Sequence, residues 1–373
     1  MKGMLKKIVA LLLTLVLMAS LVACGNTSVP TPTSSAAPSA GAPSTAPTTG
    51  SSSGEDFRVG ISVSFTGPNA QNGIEAINGL KMALEEINAN GGFNGAKGVL
   101  ATLYDSKGST EEAVRTAQKL IQNENVNAVI ASQVSSEVLA AGGYYNDAKI
   151  FTIGMGTSAT WMKQGWKYLI RGSVNYDFVA PELVNMINDM GITEIAVMKD
   201  QSEAALSFAN TFEQIAGEKG IKILISESCE PEDTDLSAQC ARILAKKPQA
   251  IFISMTSNDC GYFVKQIRQS GYTGLIFDKE SFFASMIDIA GKENSNYILF
   301  ANPYVTYAKI EDCTIEKMRK FLEKYYDMFG ALPTTEIAYR AYDSAMVIWE
   351  ATKIAGSNET EAMLAAVPKI KIE

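Results

Sequence analysis

The chain has 373 residues, of which 46% are apolar, carries a formal net charge of −8 and contains no histidine. The missing histidine excludes Ser-His and Cys-His catalysis and removes the commonest metal ligand. An acidic balance without a basic patch argues against a nucleic-acid partner and against electrostatic docking on anionic lipid.

The first segment reads as an address. Lys2, Lys6 and Lys7 make a basic start, Ile8 to Ala23 is apolar apart from Thr14 and Ser20, and Leu21-Val22-Ala23-Cys24 closes the run with small residues before a cysteine. The run is shorter than the ~20 residues a bilayer requires, so residues 1–23 are predicted to be a secretory signal peptide. The Leu-Val-Ala-Cys ending resembles a lipoprotein cleavage box, which makes Cys24 the lipidation candidate. Residues 27–54 hold no charge and no aromatic and are almost entirely Thr, Ser, Pro, Ala and Gly. They cannot bury enough apolar surface to offset the entropy of ordering, so 24–54 is expected to be a disordered tether reaching roughly 30 Å or more. Without residues 1–23 the formal charge is −11, because they hold three lysines and no acid.

From residue 57 the chain alternates β-rich runs with helical patterns. Strands are predicted at 57–65, 98–104, 126–131, 149–153, 168–172, 194–198, 221–226, 249–254, 274–278 and 296–301. Between the first two, Ile74, Ile77, Leu80, Leu84 and Ile87 recur at three- and four-residue spacing and predict one buried helical stripe. It stops at Asn90-Gly91-Gly92, where glycine accepts the left-handed conformation. Alternating strands and helices imply parallel sheets, and ten strands divide better into two α/β lobes than one. The first crossing is expected near 173–178, a second near 301–304, with helices at 314–329 and 335–355 returning to the first lobe. Ligands of such sheets sit beyond the carboxyl ends of the strands, here the cleft between lobes.

Two strand-to-helix junctions carry hydroxyls: Val134-Ser135-Ser136-Glu137 and Gly154-Met155-Gly156-Thr157-Ser158. A helix start with unpaired N–H groups and a nearby hydroxyl binds a carboxylate; the alternative is that Ser136 and Ser158 merely cap their helices. Gly154-x-Gly156-x-x-Ala159, with Asp177 further on, also fits a loose dinucleotide fingerprint. That fingerprint normally opens the first βαβ unit, whereas this one comes after the fourth strand, so no cofactor is expected. No Ser-x-x-Lys, Gly-x-Ser-x-Gly or phosphate loop occurs. Four cysteines come after Cys24. Cys229 and Cys240 are the closest pair for a disulfide, burial as free thiols is the alternative, and without a Cys-x-x-Cys spacing no structural metal site is expected.

Several of these residues resemble the periplasmic branched-chain amino acid binding proteins: Phe65-Thr66-Gly67-Pro68, Asn78-Gly79, Glu86-Ile87-Asn88-Ala89-Asn90-Gly91-Gly92, Tyr104-Asp105-Ser106, Ile195-Ala196-Val197 with Asp200, and Tyr339-x-x-Tyr342-Asp343. The likeness runs over residues 57–367. It implies an α/β, two-lobed type I periplasmic-binding-protein clamshell, each lobe a parallel sheet flanked by helices, with 57–175 and 302–367 as the N-terminal lobe and 176–301 as the C-terminal lobe. By position, Ser136 matches the serine of the ligand-carboxylate site, Gly156 and Ser158 match the backbone-plus-hydroxyl site, and Glu280 matches the acid that pairs with the ligand ammonium; Ser135 and Thr157, in the same junctions, are further candidates. Where the family has aromatics this chain has Ala204, Thr256 or a neighbour, and Asn72, which enlarges the cleft and makes part of it polar. Tyr176, Phe282 and Trp161 are candidates to refill the space. The chain also stops at Ile372-Glu373, earlier than the family does, which implies that the last second-lobe strands are missing.

The resemblance therefore implies a lipid-anchored, extracytoplasmic, monomeric solute-binding protein at the outer face of the cytoplasmic membrane. Its partners would be an amino acid or related carboxylate or amide and the permease and ATPase subunits of an ABC importer, with no enzymatic activity. A sensory module of the same fold and a secreted enzyme are the alternatives.

Overall fold

The strands are short and rich in β-branched residues, and the central ones are buried on both faces. β4 (Ala128–Ala131) and β9 (Ala250–Ser254) are buried at every position, the near-continuous apolar pattern of a parallel sheet covered by helices. The edge strand β8 (Lys222–Cys229) instead mixes exposed and half-buried residues. A computed structural model describes residues 55–371 apart from 68, 256, 257, 280, 281, 283, 302 and 303. The segments predicted as signal peptide and tether, with Cys24, lie outside the described residues, as do Glu280, Thr256 and the side chain of Tyr176.

Two parallel sheets result. The first runs β2-β1-β4-β5-β6, from β1 (Phe57–Val63), β2 (Gly98–Leu100), β4, β5 (Phe151–Gly154) and β6 (Leu169–Arg171), with β3 (Tyr104–Asp105) also on β1. The second runs β11-β10-β9-β7-β8, adding β7 (Glu194–Asp200), β10 (Leu275–Asp278) and β11 (Ile298–Phe300). The single strand predicted over 98–104 is broken in two. β2 pairs Phe57 with Gly98, whereas β3 pairs Ser62 with Tyr104, so one extra residue is taken up between them. The break falls where Thr102 N–H turns away to donate to the Glu124 carboxylate at 3.3 Å.

The helices are α1 (Ala70–Ala89), α2 (Thr110–Gln122), α3 (Ser135–Asp147), α4 (Tyr176–Asp189), α5 (Glu203–Glu218), α6 (Ser237–Ala245), α7 (Asp259–Gln269), α8 (Ala284–Ala290), α9 (Glu316–Phe329), α10 (Ile337–Ala355) and α11 (Thr360–Ala366). On α1 the buried stripe holds Ile77, Leu80, Leu84 and Ile87 as expected, and each such side chain contributes about 2 kcal/mol on leaving water. Ile74 departs from the expectation and is 44% exposed. The stripe begins instead at Gly73, where a Cβ would lie 1.9 Å from the Ser64 carbonyl oxygen, so the helix start touches the end of β1 and admits no side chain. Gly91 and Gly92 end the helix with φ of +95° and +70°. After β11 the chain returns, and α10 puts Ile337, Ala341, Ala345 and Ile348 into the core of the first sheet. A Cβ on Gly79 would lie 2.1 Å from the Ala338 carbonyl, which sets how closely α1 and α10 pack. The four cysteines after Cys24 are all free and buried, so Cys229 and Cys240 form no bridge.

Candidate functional site

Each sheet changes direction once. In the first, the chain goes from β1 outward to β2 and then crosses back to β4; in the second it goes from β7 out to β8 and back to β9. At such a switch point the loops diverge and leave a crevice beyond the carboxyl ends of the strands. The two crevices share one cavity of about 640 Å³, walled by the starts of α1, α3, α5 and α10, within the range of small-molecule sites.

The first wall is the start of α3. Val134, not a serine, occupies the N-cap and supplies no side-chain cap, so Ser135 and Ser136 are the first two helical residues. Both line the cavity with Asn72 and Gln133. The helix start therefore keeps its amide donors and dipole for the cleft. Glu137, fully buried behind it, accepts from three serine hydroxyls: Ser64 at 3.5 Å, Ser106 at 2.9 Å and Ser132 at 2.5 Å. Each of these serines directly succeeds the last residue of β1, β3 or β4. Burial raises the Glu137 pKa above the usual carboxylate value, and the three hydroxyls act against that rise. Asp105 braces the same edge. It accepts from the Phe65 and Lys107 amides at 3.0 Å each and from the Thr66 hydroxyl. Burial works against its ionisation, but these bonds prevail and lower its pKa. Phe65-Thr66 and Tyr104-Asp105, two separate parts of the resemblance, thus meet in one hydrogen-bonded corner.

The loop after β5 backs onto this wall. A Cβ on Gly156 would lie 2.9 Å from Ser135 Cα, and Ser135 Oγ accepts from the Ser158 amide at 3.1 Å. Thr157 faces the cavity, whereas Gly156 and Ser158 stand behind its wall. Ser158 Oγ accepts from the Thr160 amide at 3.0 Å and donates to Glu203 Oε1 of the second lobe at 2.9 Å. The loop leads into a five-residue 3-10 helix, Thr160–Gln164, not the long α-helix a dinucleotide fingerprint needs. Trp161 is core, 1% exposed and stacked under Arg171, and it does not refill the cleft.

The second wall carries Glu203, Ala204, Met255 and Lys279. Ala204 faces the cleft, where the resemblance places a tyrosine. Phe282 packs against the second core. Behind this wall lie the buried acids Asp200, Asp259 and Asp278. Asp259 accepts from the Glu232 amide at 2.8 Å, and its pKa is raised to about 6, first by burial and then by the charges of Asp200, Glu232 and Asp233.

A third strip, Thr334 to Ile337 with Arg340, closes the cavity. Glu75 of α1 fixes it, accepting from Thr334 N–H and hydroxyl at 2.7 Å each and from Thr335 N–H and hydroxyl at 2.9 and 2.6 Å. Arg340 and Glu336 form a buried ion pair at 2.8 Å one turn apart.

Asn72, Ser135, Ser136 and Thr157 thus share one cavity, while Glu280, Thr256 and the Tyr176 side chain lie outside the described residues. Glu203, Lys279, Thr334, Thr335 and Arg340 are not marked by the sequence pattern. Only Glu203 had a local signal, a strand end at Asp200 with the Ser202 cap just beyond it, the same strand-to-helix logic that marked Ser136. Among the described residues no group of three or more His, Cys, Asp or Glu is placed to hold a metal, and no helix is long and apolar enough to cross a membrane.

A family model described as periplasmic binding protein matches residues 56–373. Leu/Ile/Val-binding protein homolog 8 of Brucella abortus is 24% identical over 331 residues, spanning 85% of this chain and 81% of the relative. The leucine-specific-binding protein of Salmonella typhimurium is 26% identical over 240 residues, 64% of each. Among solved structures, the leucine binding protein LivK of Thermotoga maritima superposes with a TM-score of 0.72 at 24% identity, covering 83% of this chain and 87% of that one. The branched-chain amino acid transporter substrate binding protein LivJ of Streptococcus pneumoniae, in complex with isoleucine, gives 0.72 at 24% identity, with 85% and 88% covered. The match of family model, sheet order and cleft together shows that this chain belongs to the periplasmic binding protein family.

Proposed function

We propose that the chain is the extracytoplasmic solute-binding protein of an ABC importer and captures an amino acid, or a related small carboxylate or amide, in the cleft between its sheets. The observation that carries this reading is the α3 start. Its N-cap, Val134, supplies no capping side chain, and Ser136 and Thr157 line one cavity opposite the acid Glu203 of the other wall. A zwitterion needs donors for one end and an acceptor for the other. With the two on opposite lobes, binding favours the closed state. The relatives named for leucine, isoleucine and valine support an amino-acid ligand, while Asn72 and Ala204 at the wall favour a larger or more polar one. The proposed contacts are Asn72, Ser135, Ser136, Thr157, Tyr176, Thr256 and Glu280, with Gly156 and Ser158 supporting them from behind the wall. The lobes are proposed as 57–175 with 302–367, and 176–301.

A thermal-shift screen over amino acids and small carboxylates tests this. A ligand at a hundred times its dissociation constant adds about 2.7 kcal/mol of stability. Ser136→Ala and Glu280→Gln are each expected to weaken the best binder about tenfold or more, the worth of one charge-assisted hydrogen bond. A screen in which no amino acid or carboxylate raises the melting temperature rejects the reading. The proposed lipid at Cys24, tether over 24–54 and monomeric state have their own test: Cys24→Ala should release the protein from membranes as a monomer in sedimentation.

A further inference from the structure

Arg171, the last residue of β6, does not line the cleft, yet it holds the loop that backs the cleft's first wall. Its Nη1 donates to the carbonyls of Gly156 at 3.0 Å and Thr157 at 3.2 Å, and its Nη2 to the carbonyl of Ser158 at 2.5 Å. Nη1, with two hydrogens to share, also comes within 3.3 Å of Ser173 Oγ and 3.4 Å of the Val174 carbonyl, and Ser173 Oγ itself donates to the Gly156 carbonyl at 2.7 Å. The guanidinium lies 4.5 Å over the ring of Trp161, which packs on Val138 of α3.

A trans peptide points its carbonyl and its N–H in opposite directions. Three successive carbonyls turned toward one guanidinium therefore turn the N–H groups of Thr157, Ser158 and Ala159 away from it. Two of these are seen to do so: Ser158 N–H donates to Ser135 Oγ at 3.1 Å, and Ala159 N–H to Ser207 Oγ on α5 of the second lobe at 3.3 Å. The same side chain grips Val174 in the segment that leaves the first lobe, and the Val174 side chain packs against the second core.

We propose that Arg171 is a positioning residue that holds the 157–159 loop with its amides against Ser135 of α3 and Ser207 of α5 and ties that loop to the crossing segment at 173–174, so that the loop behind the cleft wall and closure of the lobes move together. The planar fork of arginine suits this, because it presents several donors in fixed directions, whereas lysine offers one compact charge. The proposal deepens the amino-acid-binding reading and rests on it for the ligand that closes the lobes.

Hydrogen exchange of the mature protein separates the two. Without ligand, Arg171→Lys is expected to speed exchange about tenfold in 156–160 and in 172–175 together, with β4 unchanged, as local opening does. Arg171→Met should do the same more strongly; if it fails to fold, the lysine variant decides. An equimolar mixture of the twenty common L-amino acids should slow both segments in the wild type and neither in Arg171→Lys. Unchanged exchange at 156–160, acceleration of one segment without the other, or uniform acceleration that includes β4 overturns the coupling. A wild type indifferent to the mixture rejects the amino-acid reading, and the ligand-free exchange still decides for or against Arg171.

Discussion

The two edges that face each other across the cleft are built on opposite electrostatic plans. On the first, buried acids are surrounded by neutral donors: Glu75 by the amides and hydroxyls of Thr334 and Thr335, and Glu137 by three serine hydroxyls. On the second, Asp200 and Asp278 each accept a backbone amide, from Ser202 at 2.8 Å and Lys279 at 2.7 Å, while the buried Asp259 feels the charges of Asp200, Glu232 and Asp233. A buried carboxylate with donors rigidifies its surroundings, while like charges brought together in low dielectric cost stability. The first edge is thus a braced platform, and the second holds electrostatic tension at Asp259 that a proton can relieve.

The largest test of that contrast is Gly73→Ala. The new methyl must enter the space 1.9 Å from the Ser64 carbonyl, next to the hydroxyl that serves Glu137, and about 3 kcal/mol of stability should be lost on denaturant titration. Glu75→Ala comes next at about 2 kcal/mol, since it strands the buried Thr335 donors and frees Thr334, and limited proteolysis should open first at 332–336. On the other edge the sign reverses. Asp259 binds its proton up to about pH 6 in the folded protein, against an ordinary value of 3.8. The native state thus holds more protons than the unfolded one between these values, so stability falls as pH rises through this window. Asp259→Asn keeps an acceptor for the Glu232 amide and removes the charge. It should raise the melting temperature by about 2–4 °C at pH 7.5 and by nothing at pH 3.5. A destabilised Asp259→Asn at neutral pH would erase the distinction between the edges. The smallest effect is away from both: breaking the exposed Arg242–Glu227 pair, 2.7 Å long, with Arg242→Ala should cost below about 1 kcal/mol.

Much of this architecture is legible along the chain. Buried strands announce themselves as apolar runs with turn residues between, and all ten predicted runs became strands, one split by an extra residue. Ser135, Ser136 and Thr157 were found because a strand-to-helix junction marks a sheet's ligand-facing edge regardless of what lies opposite, whereas Asn72 came from the resemblance. Ile74 was misread because periodicity registers side chains and Gly73 has none; the contact that fixes the helix start is a backbone one.

The α/β class, the two-sheet division, the helix ends and the edge that binds all arise from local propensity and spacing, which are properties of a few neighbouring residues. The roles of Glu75, Glu137, Glu203, Arg171 and Arg340 do not, because each depends on partners brought together by the fold. Glu75 bonds Thr334 and Thr335, 259 and 260 residues away. No spacing rule reaches that far, and whether a buried charge is satisfied or repelled depends on which groups share its pocket.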